Sequence, residues 1–140
     1  MKNKKVKSVG AIIFYQNKFL IVKKSEKAGG HWDFPKGAVK RNEIDEIKTL
    51  HREIKEETNL EIEIILEFYE EIYYNYQDEN FDYDKTVGYY LAKPLTFDIH
   101  SNDEEIQICS WATEEELKEK VKFKESIQVF EKALNFLKKN

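Results

Sequence analysis

The sequence predicts an α+β domain of the α/β/α sandwich kind, a mixed β-sheet flanked by helices. Three observations carry that prediction. Runs of β-branched and aromatic residues recur through the chain, two stretches switch to helical spacing, and the two kinds are interleaved with no repeat, linker or low-complexity segment between them.

Val6 to Tyr15 and Phe19 to Val22 are apolar runs joined by the polar turn Gln16-Asn17-Lys18, the pattern of a hairpin. Ser25 to His31 reads as a loop through Gly29-Gly30. Trp32 to Phe34 is a short extended piece that Pro35 excludes from a helix. From Asp45 to Thr58 the spacing turns helical, with Ile47, Leu50 and Ile54 three and four apart. Asp45 suits the N-cap, and Asn59 suits the left-handed residue that ends a helix. Ile62 to Tyr74 is strand-like, and Gln77 to Asp84 is acidic and polar and reads as a mobile loop. Thr86 to Ala92 and Ile106 to Trp111 are further strands. Thr113 with Glu116 forms a capping box before a short helix, and Ile127, Phe130, Leu134 and Leu137 share one face of a last amphipathic helix.

A length of 140 residues suits one domain, residues 1–140, built on one core, and 41% hydrophobic with 14% aromatic residues is enough apolar mass to fill it. The net charge of -4 argues against a protein held to nucleic acid or membrane by a basic surface. The cluster Lys2, Lys4, Lys5 and Lys7 reads as a solvated tail or strand edge. The single Cys109 excludes an internal disulfide and reads as a small core or near-core hydrophobe. No apolar run has the length of a signal sequence core or a membrane span, so a cytoplasmic, monomeric protein without a membrane partner is expected.

The chemistry concentrates in the helix. In Arg52-Glu53-Ile54-Lys55-Glu56-Glu57 the three glutamates project to one side, while Ile47, Leu50 and Ile54 cover an adjoining sector. A charged face is most often simply solvated. Here Glu53 and Glu57 are like charges at i,i+4, a pairing that costs roughly 0.2–0.5 kcal/mol, and one arginine cannot neutralise three carboxylates. A hard divalent cation, magnesium or manganese, would do so. Upstream, Gly37 permits close approach of the backbone to a ligand, and Lys36 and His31 are candidate phosphate donors.

The stretch Gly37, Glu43, Arg52-Glu53-Ile54-Lys55-Glu56-Glu57-Thr58-Asn59-Leu60 resembles the Nudix box, whose pattern is Gly, five residues, Glu, seven residues, then Arg-Glu-aliphatic-any-Glu-Glu-any-Gly-aliphatic. Two features depart from it. Eight residues separate Glu43 from Arg52, so one extra residue lies near Ile44 and would shift Glu43 relative to the helix. Asn59 replaces the usual Gly. Outside the box, Gly30-His31-Trp32-Asp33-Phe34-Pro35-Lys36-Gly37, Lys85 to Ala92, Glu105 with Trp111, and Phe123 to Leu137 resemble the asymmetrical diadenosine tetraphosphate hydrolases, a likeness over nearly the whole chain.

That resemblance implies a Nudix-type fold and metal-dependent cleavage of a phosphoanhydride, giving ATP and AMP from diadenosine tetraphosphate. It implies metal ligands at Gly37, Glu53, Glu56 and Glu57, with Mg2+ or Mn2+ as cofactor, and catalytic roles for Arg52, Glu56, Glu57 and Glu105. Glu56 or Glu105 would take the proton of the attacking water, and Arg52 would orient the glutamates. His31, Lys36 and Lys85 would contact the phosphates, and Tyr74 and Tyr89 the nucleoside. Ile106 stands where the family often has His, and Cys109 where it often has an aromatic. Of the 8 tyrosines, most are expected to pack and only one or two to bind a base. The same box also serves removal of pyrophosphate from RNA 5′ ends and clean-up of nucleoside triphosphates, and a nucleotide sensor without catalysis is the competing class.

Overall fold

Residues 2–139 are described by a computed structural model, in which the first strand, β1 (Lys2–Tyr15), is the central member of the sheet. It is followed by β2 (Lys18–Lys24), β3 (Trp32–Asp33), β4 (Lys36–Ala38), helix α1 (Glu46–Thr58), β5 (Ile62–Gln77), β6 (Phe81–Pro94), β7 (Ile106–Thr113) and helices α2 (Glu114–Lys120) and α3 (Lys124–Lys139). The strand order is β3-β2-β1-β6-β5, with β4 paired to β1 and β7 to β2. The sheet is mixed because β1 and β6 run parallel from Lys2–Phe81 to Ile13–Ala92, while the other pairings are antiparallel. A parallel pair needs a long crossover, and α1 with β5 supplies it.

β1 is apolar on both faces because both are covered. Val9, Ala11 and Ile13 pack with Leu50 and Ile54 of α1, whereas Ile12 packs on the opposite side with Val129, Phe130 and Ala133 of α3. Helices on both faces of the sheet make the α/β/α arrangement expected from the sequence. The predicted hairpin closes through two residues, Gln16 and Asn17, both at positive φ (49° and 64°), and Lys18 already belongs to β2.

The predicted mobile loop between Gln77 and Asp84 is instead the end of a long hairpin: β5 runs to Gln77 and β6 begins at Phe81. Cross-strand pairs hold it, Tyr76 opposite Tyr83 and Asn75 opposite Asp84, the latter hydrogen-bonded. Asp78 closes the turn by accepting from the amides of Asn80 and Phe81, both at 2.9 Å. The acidic composition concealed this alternation. Likewise Lys2 to Lys7 form no tail but the start of β1, where Lys7 pairs with Glu46 at 2.8 Å and Glu71 at 3.5 Å.

α1 starts and stops where the residues dictate. The Asp45 carboxylate accepts from the amides of Ile47 and Lys48, and Asn59 ends the helix at φ 69°. The Thr113–Glu116 capping box starts α2 with both of its hydrogen bonds formed. Among the described residues no helix is long and apolar enough to cross a membrane.

Candidate active site

β4 brings the backbone of Lys36 and Gly37 against the last turns of α1 by pairing Gly37 with Val9 of β1. The Lys36 amide donates to Glu57 at 3.2 Å. A methyl group on Gly37 would collide with the Glu53 carboxyl, so only glycine permits this approach. Glu53 and Glu57 are both buried, and Lys24 of β2 reaches Glu57 at 3.6 Å. Burial pushes the Glu57 carboxyl up to about 7, against the pull of Lys24, with Asp103 and Glu53 adding repulsion. Burial also raises Glu53, against the pull of Arg52.

Arg52 joins the acids of the helix to the loop. It contacts Glu43 at 3.0 Å, Glu53 at 2.9 Å and Glu56 at 3.1 Å. The Lys40 amide, the Thr49 hydroxyl and Arg52 together hold Glu43 at about 2. The extra loop residue therefore does not displace Glu43. It is absorbed at Ile44, which stands 98% exposed between Glu43 and the N-cap Asp45.

The predicted metal ligands come together only in part. Glu53, Glu57 and Gly37 adjoin one another, whereas Glu56 is exposed and drawn aside by Arg52. Among the described residues no three His, Cys, Asp or Glu side chains converge on a common metal position. The chemistry nevertheless suits a hard cation. Two buried carboxylates repel each other beside a glycine that keeps the backbone open, so a divalent ion would relieve what their lysine and arginine neighbours leave uncompensated.

Two of the predicted phosphate and nucleoside residues, Lys36 and Tyr74, line a neighbouring cavity of about 190 Å³, together with Asp33, Ile72, Phe123, Glu125 and Ser126. Lys36 pairs with Asp33 at 3.2 Å. Burial pulls its ammonium down, but Asp33 outweighs that and keeps it raised. His31 packs its ring on Phe123 at 5.2 Å, and the Lys85 ammonium lies 5.8 Å from the Tyr74 ring centre. Burial lowers Lys85, and the charges of Lys36 and Lys24 lower it further, against the pull of Asp33. A larger open hollow of about 800 Å³ between Phe14, Ile65 and Phe136 holds none of these residues.

Two placements differ from the sequence expectation. Tyr89 is fully buried in the core against Phe34, and its hydroxyl has no hydrogen-bond partner, so it supports the cavity wall from behind and offers no face to a nucleoside. Glu105 turns its side chain to solvent, while its carbonyl accepts from the Ser25 amide. The acid outside the box whose charge does reach Glu53 and Glu57 is Asp103, two residues earlier. Sequence reasoning also passed over Lys24, Asp33 and Ser126; the Ser126 hydroxyl donates to Asp33 at 2.8 Å. Cys109 occupies the expected aromatic position, its thiol donating to the Glu57 carbonyl at 3.1 Å.

Known proteins share this fold. The family model of the NUDIX domain matches residues 4–132. An Ap4A hydrolase from C. elegans, solved as a binary complex, is 28% identical with a TM-score of 0.83, over 96% of this chain and 99% of that one. A second structure, also entitled C. elegans Ap4A hydrolase, gives 26% identity and a TM-score of 0.72 over 96% and 99%. The NUDIX domain of Shewanella oneidensis NrtR, complexed with ADP ribose, has the same fold at 17% identity, TM-score 0.71, over 96% and 89%. No curated protein sequence matches.

Proposed function

The chain belongs to the NUDIX domain family, hydrolases of nucleotide phosphoanhydrides, and from that premise we propose that its substrate is a dinucleoside polyphosphate, cleaved asymmetrically as diadenosine tetraphosphate to ATP and AMP. One observation carries the choice. Lys36 and Tyr74 line the cavity next to Glu57, with Lys85 against the Tyr74 ring and His31 against Phe123, so cations and aromatic rings, together with the acids Asp33 and Glu125, adjoin the carboxylates. The likeness of the whole chain to an Ap4A hydrolase supports it.

Glu53, Glu57, the Gly37 carbonyl and Glu56, once released from Arg52, would hold a divalent cation, Mg2+ or Mn2+, which when bound neutralises polyphosphate charge and acidifies a coordinated water. Lys36, Lys24 and Lys85 stabilise negative charge on the transferring and leaving phosphates. The charged form of Lys85, held down by burial and by the charges of Lys36 and Lys24, is favoured by an arriving polyphosphate. Glu56, the exposed carboxylate of the helix, accepts the proton of the attacking water. Arg52, gripped by Glu43, orients the glutamates and touches no substrate.

The test is incubation with diadenosine tetraphosphate, nucleoside triphosphates and 5′-triphosphate RNA in the presence of Mg2+, with products identified by mass. ATP and AMP in equal amounts from the dinucleotide, faster than any product from the others, are expected. Pyrophosphate released preferentially from RNA or triphosphates would replace this substrate assignment.

A further inference from the structure

The long β5–β6 hairpin extends the sheet beyond the candidate active site, and one of its faces continues the site's chemistry. Because cross-strand partners share a face and faces alternate along a strand, Lys4, Phe81, Tyr83, Lys85, Tyr74 and Tyr76 all lie on one side. The rings form a connected series. Tyr74 and Tyr76 are 6.3 Å apart, Tyr76 and Tyr83 stack at 4.6 Å with planes 12° apart, Phe81 follows Tyr83 at 5.9 Å, and Lys4 sits 4.2 Å above Phe81. Tyr76 is 42% exposed and lies on the edge strand, so the ring face turned away from Tyr83 is open. The series starts at Tyr74, which lines the cavity, with Lys85 beside its ring, and reaches four residues further along β6, about 13 Å at the rise of a strand.

We infer that this ladder binds the second nucleoside of the substrate, the base stacking on Tyr76 while the polyphosphate lies over Lys85 and Lys36. The inference rests on the reading above that a dinucleoside polyphosphate occupies the site, and it adds the subsite that distinguishes such a substrate from a mononucleotide. A π-face on an otherwise hydrated hairpin suits any base, and the lysine at its inner end suits the polyphosphate that leads to it. The turn at the outer end is acidic, with Asp78, which accepts from the Tyr83 hydroxyl at 2.8 Å, and Glu79. A nucleic-acid strand would carry further phosphates into those carboxylates. A terminal nucleoside carries none, which favours the dinucleotide over an RNA chain.

The test uses the full chain carrying Glu57→Gln to slow turnover, with Mg2+ present, and titrates diadenosine tetraphosphate and adenosine 5′-tetraphosphate by calorimetry. Adding Tyr76→Ala is expected to weaken the dinucleotide roughly 5- to 100-fold, to change the mononucleotide less than about twofold, and Tyr76→Phe is expected to restore the dinucleotide. Equal losses for both ligands, no loss for either, or no dinucleotide binding at all would overturn the proposal. So would a 5′-triphosphate oligoribonucleotide that displaces the dinucleotide and itself depends on Tyr76, since the ladder would then serve RNA. If the unsubstituted chain released no ATP or AMP while the Tyr76 pattern held, the hydrolytic reading would fail and the subsite would stand.

Discussion

Arg52 grips Glu43 at 3.0 Å across a loop one residue longer than the motif it resembles. The grip survives because the loop discards its surplus at one point: Ile44 swings into solvent, and Asp45 still caps the helix. Glu43 therefore acts on the site through Arg52, which in turn holds Glu53 and Glu56. Glu43→Gln is expected to lower Mg2+ affinity and kcat by about tenfold, the scale of losing a partner that orients metal ligands. Ile44→Ser should leave thermal stability within about 0.5 kcal/mol and kcat/KM unchanged, as for a surface residue without partners. Steady-state kinetics with Mg2+ titrated separately checks both. Equal effects of the two substitutions would refute the clamp.

The buried carboxylate of Glu57 makes the metal-free protein pay for its chemistry in stability. Its folded pKa, about 7, lies above the ordinary value of 4.5, so the native state binds more protons than the unfolded state between those limits. The sign follows: without metal, stability falls as pH rises from about 4.5 to 7, and the loss is complete above 7. Glu57→Gln removes that penalty and should raise stability of the metal-free protein at pH 8 by roughly 2–3 kcal/mol, while abolishing most turnover. Mg2+ should stabilise the unsubstituted chain at pH 8 and have little effect on the variant. Thermal melts at pH 5 and pH 8, with and without EDTA, decide it; a metal-free protein more stable at pH 8 than at pH 5 would contradict the assignment.

Asn59 takes the left-handed position where the motif carries glycine, at φ 69°, and its side-chain amide also donates to the Asp98 carbonyl at 3.0 Å. Asn59→Ala should cost roughly 1–2 kcal/mol, because alanine has neither the local hydrogen bond nor tolerance for positive φ. Asn59→Gly should lie within a few tenths of a kcal/mol of the original, exchanging backbone freedom against the lost amide contact. Chemical denaturation measures the difference; Asn59→Ala as stable as Asn59→Gly would mean that the cap is not what ends α1.

These outcomes show which parts of the molecule the sequence could disclose. Local rules settled the helix ends at Asp45, Asn59 and Thr113, because a cap needs only its own few neighbours. Spacing also set Glu53 and Glu57 on one side of the helix, where both are buried beside Gly37. Residues that act through distant strands were hidden. Lys24 meets Glu57 only when β2 is laid beside α1, and Asp103 exerts its charge only because the chain returns past α1 before β7. Tyr89 was expected at the nucleoside from the resemblance alone, which does not say which face of β6 the helices cover. The outer end of the β5–β6 hairpin was read as a loop because its strand pattern is written in acids and tyrosines, and polarity alone reads as loop.

Lys36 serves the fold and, on the proposed reading, the substrate as well, and the two contributions can be separated. Its ammonium meets Asp33, which is buried and also accepts from the Phe34 amide and the Ser126 hydroxyl, tying β3 to α3. Lys36→Met leaves Asp33 charged and short of a partner, at a cost of roughly 2–3 kcal/mol, less than for a wholly enclosed pair because Lys36 still touches water. Asp33→Asn removes the orphaned charge, so the double variant should recover most of that stability. Substrate binding should not recover with it, since no cation then faces the polyphosphate from this position, and KM should remain raised by about tenfold or more in both variants. A double-mutant cycle on stability, run beside KM for diadenosine tetraphosphate, separates the roles. If KM returned together with stability in the double variant, Lys36 would be a structural partner of Asp33 alone, and the phosphate contact would have to be reassigned to Lys24 and Lys85.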